Sequence, residues 1–160
     1  YDFKYYGFLH SMILNIIIGS IIIGITIIIQ AYGTKFWIHY LKNNYVDKTV
    51  LRFDQKTVRL LVYSAIFLLL LNFIEAIIWG ITYYLLPGIT EFETLEKAIY
   101  FSLVTFTTLG YGEITISSSG RILSGFEAMN GVLLLGWTTA MMFSVLQFVM
   151  KGSLKEKKKK

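Results

Sequence analysis

The chain has 160 residues, of which 55% are hydrophobic and only 16% are charged, with a mean hydropathy of +0.60. A soluble domain of this length has too little interior to bury so much apolar surface, so the composition indicates one membrane domain. The chain has no cysteine, which excludes disulfides, thiol catalysis and cysteine-ligated zinc, and its net charge of +5 follows from basic loops rather than from a nucleic-acid-binding surface.

The first apolar stretch begins near the amino terminus. No residue between Lys4 and Lys35 is charged when His10 is counted as neutral, and about 20 apolar residues are enough to cross a hydrocarbon core. We predict a transmembrane helix near Phe8–Gln30. A signal peptide is the alternative, but the stretch is long for an apolar signal core and no small-residue cleavage pattern follows it.

A basic linker follows, which we place at residues 34–58 after a first segment of residues 1–33. It mixes aromatic side chains with lysines, which is typical of an interfacial helix or loop at headgroup depth. A role in gating is the alternative interpretation. Basic residues outnumber the two acidic ones, Asp47 and Asp54, between the first two apolar stretches: Lys35, Lys42, Lys48, Arg52, Lys56 and Arg59.

The second apolar stretch predicts a transmembrane helix near Leu60–Leu86, with Glu75 as its one charged residue. Pro87 and Gly88 then form a strong turn signal. A short apolar helix is predicted at Leu95–Phe106, and two starts are open: a capping box from Thr90 to Glu93, or a cap at Thr94.

The predicted short helix has about three turns and cannot cross a bilayer. Its carboxyl end carries the partial negative charge of the helix dipole, which favours a nearby cation. The chain then continues through Thr105–Glu113, which reads Thr-Phe-Thr-Thr-Leu-Gly-Tyr-Gly-Glu. Non-helical backbone at membrane depth is tolerated only where it is buried in protein or lines water, and glycines allow the positive φ values that aim successive carbonyls at one axis.

This segment resembles the selectivity filter of tetrameric potassium channels, whose usual core is Thr-Val-Gly-Tyr-Gly. The resemblance extends over residues 59–151 and implies an outer helix, a pore helix, the filter and an inner helix. Carbonyls of such a filter replace the water shell of K⁺. It implies an ion-binding segment in which Thr108, Leu109, Gly110 and Tyr111 hold K⁺ as the transported ion and Gly112 completes the motif, with no organic cofactor.

The resemblance also implies supporting residues around the filter. Thr107 pairs with Thr108, Tyr100 and Phe101 stand where aromatic residues form a cuff around the filter, and Tyr111 is expected to pack against the pore helix. Two residues depart from the usual pattern, because Leu109 replaces valine and Glu113 replaces aspartate. Val104 stands where some members have a glutamate behind the filter. The carboxylate pair to which that glutamate belongs in those members is therefore absent from this chain.

The third apolar stretch, near Ile122–Met150, contains only Glu127 as a charged residue. Carboxylates inside spanning helices are costly and seldom face lipid. Asn72 and Asn130 lie three residues from Glu75 and Glu127, on the same helical faces. We predict that the two glutamates form polar contacts behind the filter, and sensing of pH is the alternative.

Residues spaced by four on the third helix share one face, and the resemblance implies that this face lines the cavity below the filter: Gly131, Leu135, Thr139 and Phe143. Gly131 then approximates the family's hinge glycine, and Gly136 is the rival. Close helix packing is the other interpretation of both glycines. The hydroxyls of Thr138 and Thr139 either hydrate ions in the cavity or bond to their own helix.

The basic linker and the tail, residues 152–160, are predicted to be cytoplasmic by the positive-inside rule, which places the amino terminus and the filter outside a plasma membrane. The tail lysines are expected near anionic lipid headgroups, with a lipid-regulated switch as the alternative: Lys157, Lys158, Lys159 and Lys160.

Together these features predict an all-α membrane protein with three transmembrane helices, a re-entrant pore helix and a filter loop. The resemblance implies a homotetrameric potassium-selective channel that is not an enzyme and binds no nucleic acid. The alternatives are a less selective monovalent cation channel and a non-conducting scaffold or regulatory subunit.

Overall fold

A computed structural model describes residues 2–46, 55–116 and 120–157. Within them the chain is helical throughout its regular structure, with α1 at Asp2–Leu41, α2 at Gln55–Leu85, α3 at Leu95–Phe106 and α4 at Arg121–Lys157. Three segments are long and apolar enough to cross a membrane: Leu9–Asn44, Thr57–Leu85 and Arg121–Met150. The prediction of an all-α membrane protein with three spanning helices is confirmed.

The first helix is longer than the sequence predicted. α1 runs past Gln30 to Leu41 and continues into a π-helical turn at Lys42–Val46. No proline interrupts this stretch. The amphipathic residues after Lys35 are compatible with a helix, as are the apolar residues before it. The first part of the basic linker is therefore a continuation of α1, and residues 47–54, with Lys48 and Arg52, lie outside the described residues.

The short helix α3 begins and ends where the sequence predicted. Its cap is Thr94, whose side chain accepts a hydrogen bond from the Lys97 amide at 3.3 Å. The alternative capping box at Thr90 does not form, because the Glu93 carboxylate pairs instead with Lys97 Nζ at 2.5 Å. That ammonium group lowers the pKa of the exposed Glu93 carboxyl.

The last helix extends beyond the predicted span. α4 begins at Arg121 and includes Lys157, whereas Lys158, Lys159 and Lys160 lie outside the described residues. The helix is unbroken through Gly131 and Gly136.

Two clusters of buried apolar residues hold the helices together. The first lies beside α3 and joins it to α2 and α4, with α1 isoleucines packed on its edge. The second lies at the other end of the molecule, which we call the distal end, and joins α1, α2 and α4. Residues of the distal cluster are Trp37, Leu41, Leu60, Leu68, Met141, Val145 and Val149.

The first helix packs on the same chain's α2 and α4 along a buried stripe. The Trp37 indole donates to Ser64 Oγ at 3.0 Å, and Leu71 lies directly against Gly33. The opposite side of α1 is a row of exposed isoleucines, which suits contact with lipid: Ile13, Ile17, Ile21, Ile25 and Ile28.

Candidate functional site

The chain reverses direction at the carboxyl end of α3. The amides of Leu109 and Gly110 both donate to the Val104 carbonyl, at 3.0 and 3.2 Å, and the Thr108 amide donates to the Thr105 carbonyl at 2.9 Å. These bonds use carbonyls that α3 itself leaves unpaired. The glycine-rich segment, residues 107–113, is thereby held against the negative end of the α3 dipole.

Alternate residues of the segment have left-handed backbone. The φ values are 58° at Thr108, 54° at Gly110 and 81° at Gly112, whereas Leu109 and Tyr111 have negative φ. Alternation of left-handed and right-handed residues turns successive peptide units so that their carbonyls project to one side of the chain. Two of the three left-handed positions are glycine, the residue that adopts them without steric cost.

Thr108 is the exception, because a β-branched residue at positive φ is a genuine conformational outlier. Such residues typically cost about 1–3 kcal/mol and cluster at functional sites, where the surrounding structure enforces them. No described residue donates a hydrogen bond to the carbonyls of residues 108–112, and the whole segment is exposed in the single chain. Its oxygens are free to bind a cation.

The side chains of the segment point away from the chain's own core. Tyr111 is 64% exposed and Leu109 is 56% exposed. Neither side chain is enclosed within the single chain, and the packing of Tyr111 against a pore helix stays a prediction. A cavity of about 460 Å³ lies behind the segment, where it borders α3 and the first turns of α4, with Val104, Ser124 and Ala128 in its wall.

The two expected cuff aromatics face different ways. Phe101 is buried, with its ring edge-on to Tyr83 at 5.2 Å and tilted on Phe92 at 5.1 Å. Tyr100 is exposed, and its hydroxyl donates a hydrogen bond to the Glu113 carboxylate. This bond raises the pKa of the Tyr100 phenol, and it ties the far end of the glycine-rich segment to α3. Thr107 instead bonds backward, from its hydroxyl to the Leu103 carbonyl at 2.7 Å.

Glu127 joins three helices behind the segment. It is fully buried on α4 and accepts hydrogen bonds from the Tyr83 hydroxyl of α2, at 2.7 Å, and from the Ser102 hydroxyl of α3. The Ser102 hydroxyl also lies 2.6 Å from the Ala76 carbonyl. The geometry agrees with the predicted polar contact between the outer, pore and inner helices.

Glu75 makes no such contact, contrary to the prediction. It is fully buried, yet neither carboxyl oxygen has a hydrogen-bond partner among the described residues. The amide three residues away on the same helix, and the corresponding amide beside Glu127, both serve other partners. Asn72 bonds with Thr138 at 3.1 Å, and Asn130 donates to Thr26 of α1 at 2.8 Å.

Comparison with protein families identifies the family to which the central part of the chain is similar. A family model described as "Ion channel" matches residues 59–148. The chain belongs to this ion channel family. The protein is therefore a membrane channel and not an enzyme. The comparison with curated proteins gave no match, and neither did the comparison with solved structures.

The family match extends from α2 through the glycine-rich segment into α4, and α1 lies outside it. In this ion channel the residues predicted for the cavity face differ in surroundings. Gly131 is buried and Leu135 is half-buried, whereas Thr139 and Phe143 are exposed, as is Gly136. Thr139 donates back to the Leu135 carbonyl at 2.9 Å, and Thr138 turns toward α1 and α2.

Gly131 has a clear packing role. A Cβ atom at this position would lie 2.0 Å from the Phe106 carbonyl oxygen, so α4 approaches the end of α3 only because residue 131 has no side chain. A Cβ atom at Gly136 would meet nothing within 4 Å. Of the two interpretations open for Gly131, the geometry supports close packing.

Sequence reasoning missed Tyr83, Ser102 and the polar residues of α1. Ser102 and Tyr83 supply both hydrogen bonds of Glu127, and Gln30 donates to Thr138 at 3.0 Å. A usable signal existed, because a buried carboxylate requires donors and these hydroxyls lie within apolar helices. Which of the many hydroxyls meets which carboxylate depends on how the helices cross.

Proposed function

We propose that the protein is a potassium-selective channel in which Thr108–Gly112 forms the selectivity filter. The observation that carries the proposal is the left-handed backbone at Thr108, Gly110 and Gly112, in a segment whose carbonyls accept no hydrogen bond from the described residues. Carbonyls aimed to one side replace the hydration shell of K⁺, with sites at Thr108, Leu109, Gly110 and Tyr111. The dipole of α3 adds a cation-favouring field at the inner end of this row.

One chain supplies one filter strand, so a closed ring of carbonyls requires several copies, and we propose a homotetramer. The exposed side chains of Leu109 and Tyr111 and the open cavity behind the segment support this proposal. Neighbouring copies would cover these apolar surfaces, which a single chain leaves uncovered. The basic residues at the distal end support an orientation in a plasma membrane with the filter outside and both the linker and the tail inside.

The test is the reversal potential of purified protein in planar bilayers with potassium on one side and sodium on the other. We expect a reversal potential far from zero, at the voltage sign that opposes potassium flow out of its own compartment. Reversal near zero would show a weakly selective cation channel, and absence of current would favour a non-conducting scaffold.

A matched pair of variants tests whether the glycine-rich segment determines the ion selectivity. Gly112→Ala puts a side chain at φ +81°, a backbone conformation that L side chains rarely adopt, and we expect selectivity to fall. Gly88→Ala, in the loop before α3, adds a methyl group where no atom lies within 4 Å. We expect that control to keep the wild-type reversal potential.

A further inference from the structure

The distal end of α1 carries a row of cationic and aromatic side chains. Lys35, His39 and Lys42 lie at successive turns of one exposed face, with the Lys35 ammonium 6.0 Å from the centre of the Tyr32 ring. Together with Tyr32, Phe36 and Ile38 they line a groove of about 520 Å³. This volume lies within the range of about 300–1,000 Å³ that is typical of small-molecule sites.

An apolar crevice of about 260 Å³ continues from this groove. It lies between the end of α1 and the distal half of α4, and Ile38 and Lys42 line both the groove and the crevice. The walls of the crevice are mostly aliphatic and aromatic: Ile38, Leu41, Met141, Val145 and Phe148. A site for a charged group is thus directly joined to a site for a hydrocarbon chain.

The positive charge of the groove is not neutralised within the described part of the chain. No acidic residue occurs between Asp2 and Asp47, and none between Glu127 and Glu156 on the facing helix. Lys35 and Lys42 form no ion pair with a described residue. The groove therefore complements an anion.

The length of α1 indicates the level in the membrane at which this groove lies. Its 40 residues extend over about 60 Å, twice the thickness of a hydrocarbon core of about 30 Å, so its end reaches the headgroup region. Exposed Tyr32, Phe36 and Tyr40 at this level are typical of the membrane interface.

We propose that the groove and crevice together bind one anionic phospholipid. Its phosphate lies between Lys35 and Lys42, and one acyl chain occupies the crevice between α1 and α4. The joined apolar crevice favours a phospholipid over a soluble phosphate, because a soluble anion has no group to fill it. This site is separate from the tail lysines, and it assigns a ligand to the helix that the family match does not include.

Occupancy has a structural consequence. The crevice wall includes Val145 and Met141, which also belong to the distal cluster that joins α1, α2 and α4. A bound acyl chain fills the gap at the edge of this cluster and holds α1 against α4. The binding itself can be measured without current, so its failure is distinguishable from failure of the proposed channel function.

The experiment is native mass spectrometry of the purified full chain titrated with phosphatidylglycerol, and in parallel with phosphatidylcholine. We expect phosphatidylglycerol to bind more tightly. Lys42→Gln removes one phosphate contact and should weaken phosphatidylglycerol about fivefold, with little effect on phosphatidylcholine. Ser144→Phe, which fills the crevice without a change of charge, should weaken both lipids.

The charge-matched control is Lys97→Gln, at the far end of the molecule on α3, which should bind phosphatidylglycerol like the wild type. Lipid affinities are compared only among variants whose unfolding midpoint equals that of the wild type. Unchanged phosphatidylglycerol affinity in both Lys42→Gln and Ser144→Phe would overturn the proposal. Glycerol 3-phosphate that binds as tightly as the lipid would overturn it in favour of a soluble anion. Loss of subunit association in Ser144→Phe with unchanged lipid binding would instead show that a second copy covers the crevice.

Discussion

At the scale of single residues, the two intramembrane glutamates have opposite surroundings although the sequence places them in similar contexts. Glu127 has two hydroxyl donors, whereas Glu75 has no partner among the described residues. A buried polar group without a hydrogen bond costs roughly 1–3 kcal/mol on protein mutational scales, and removal of a bonded one leaves its partners unsatisfied.

Replacement of the glutamates by methionine should therefore have opposite effects. We expect Glu75→Met to raise the free energy of unfolding by about 1–3 kcal/mol, because it removes an unpaired carboxyl group. Glu127→Met should lower it by a similar amount, because the hydroxyls of Tyr83 and Ser102 lose their acceptor. Unfolding in mixed micelles measures both, and destabilisation by Glu75→Met would reveal a partner that the described part of the single chain does not supply.

The hydrogen bond between Tyr100 and Glu113 predicts a second residue-scale effect. Tyr100→Phe removes the tie between α3 and the far end of the glycine-rich segment, so we expect faster decay of sustained channel current with unchanged selectivity. Tyr63→Phe, an exposed tyrosine on α2, is the control and should decay like the wild type. Equal decay in both variants would contradict a restraining role for the bond.

The same bond has a defined pH dependence. Since it raises the pKa of Tyr100 above the ordinary 10.0, the phenol stays protonated and bonded below that value. On the side of the phenol, its contribution is lost as pH rises through the raised pKa of Tyr100. We therefore expect wild-type current decay to be constant between about pH 7 and 9, where a phenol keeps its proton.

At the scale of elements, the contact between α3 and α4 depends on one missing side chain. Gly131→Ala would force its methyl group onto the Phe106 carbonyl, so α3 or α4 must move. Overpacking of this kind costs about 1–3 kcal/mol. We expect a lower unfolding midpoint and disturbed conduction.

Gly136→Ala is the matched control on the same helix. Its new methyl group meets nothing within 4 Å, and alanine favours helix over glycine by about 1 kcal/mol. The midpoint should therefore stay equal or rise. An unchanged midpoint in Gly131→Ala, together with a lower open probability, would support the hinge interpretation over packing.

At the scale of the whole molecule, α1 is joined to the channel domain by polar contacts rather than by apolar packing alone. Thr26 accepts from Asn130, and Gln30 and Asn72 both donate to Thr138. Hydrogen bonds between membrane helices contribute specificity as well as about 1 kcal/mol each. We infer that α1 occupies a fixed position on α2 and α4.

Thr26→Val tests this arrangement with little change in shape. It leaves the Asn130 amide unpaired, and we expect the free energy of unfolding to fall by about 1 kcal/mol. Thr82→Val is the control, because among the described residues its hydroxyl bonds only to the Ile78 carbonyl of its own helix, at 2.8 Å. Equal stability of the two variants would mean that α1 is held by apolar contacts only.

The sequence by itself determined the three spanning helices, the short helix at Leu95–Phe106 and the segment in which two glycines adopt left-handed backbone. Hydropathy, capping residues and glycine spacing are local properties of the sequence, so the structures that they specify can be predicted without knowledge of the tertiary fold. The end of α1 was less predictable, because a helix continues past the last apolar residue when nothing breaks it.

Only the tertiary structure decided which polar residues meet. The partners of Glu127 lie 25 and 44 residues away along the chain. Asn130 and Thr138 each meet a residue of α1 more than 100 residues away, and Thr138 also meets Asn72 of α2, 66 residues away. The packing role of Gly131 and the isolation of Glu75 are set in the same way. The way the helices cross fixes these contacts. Hydropathy does not predict how helices cross, because apolar faces of similar composition can pack in many registers.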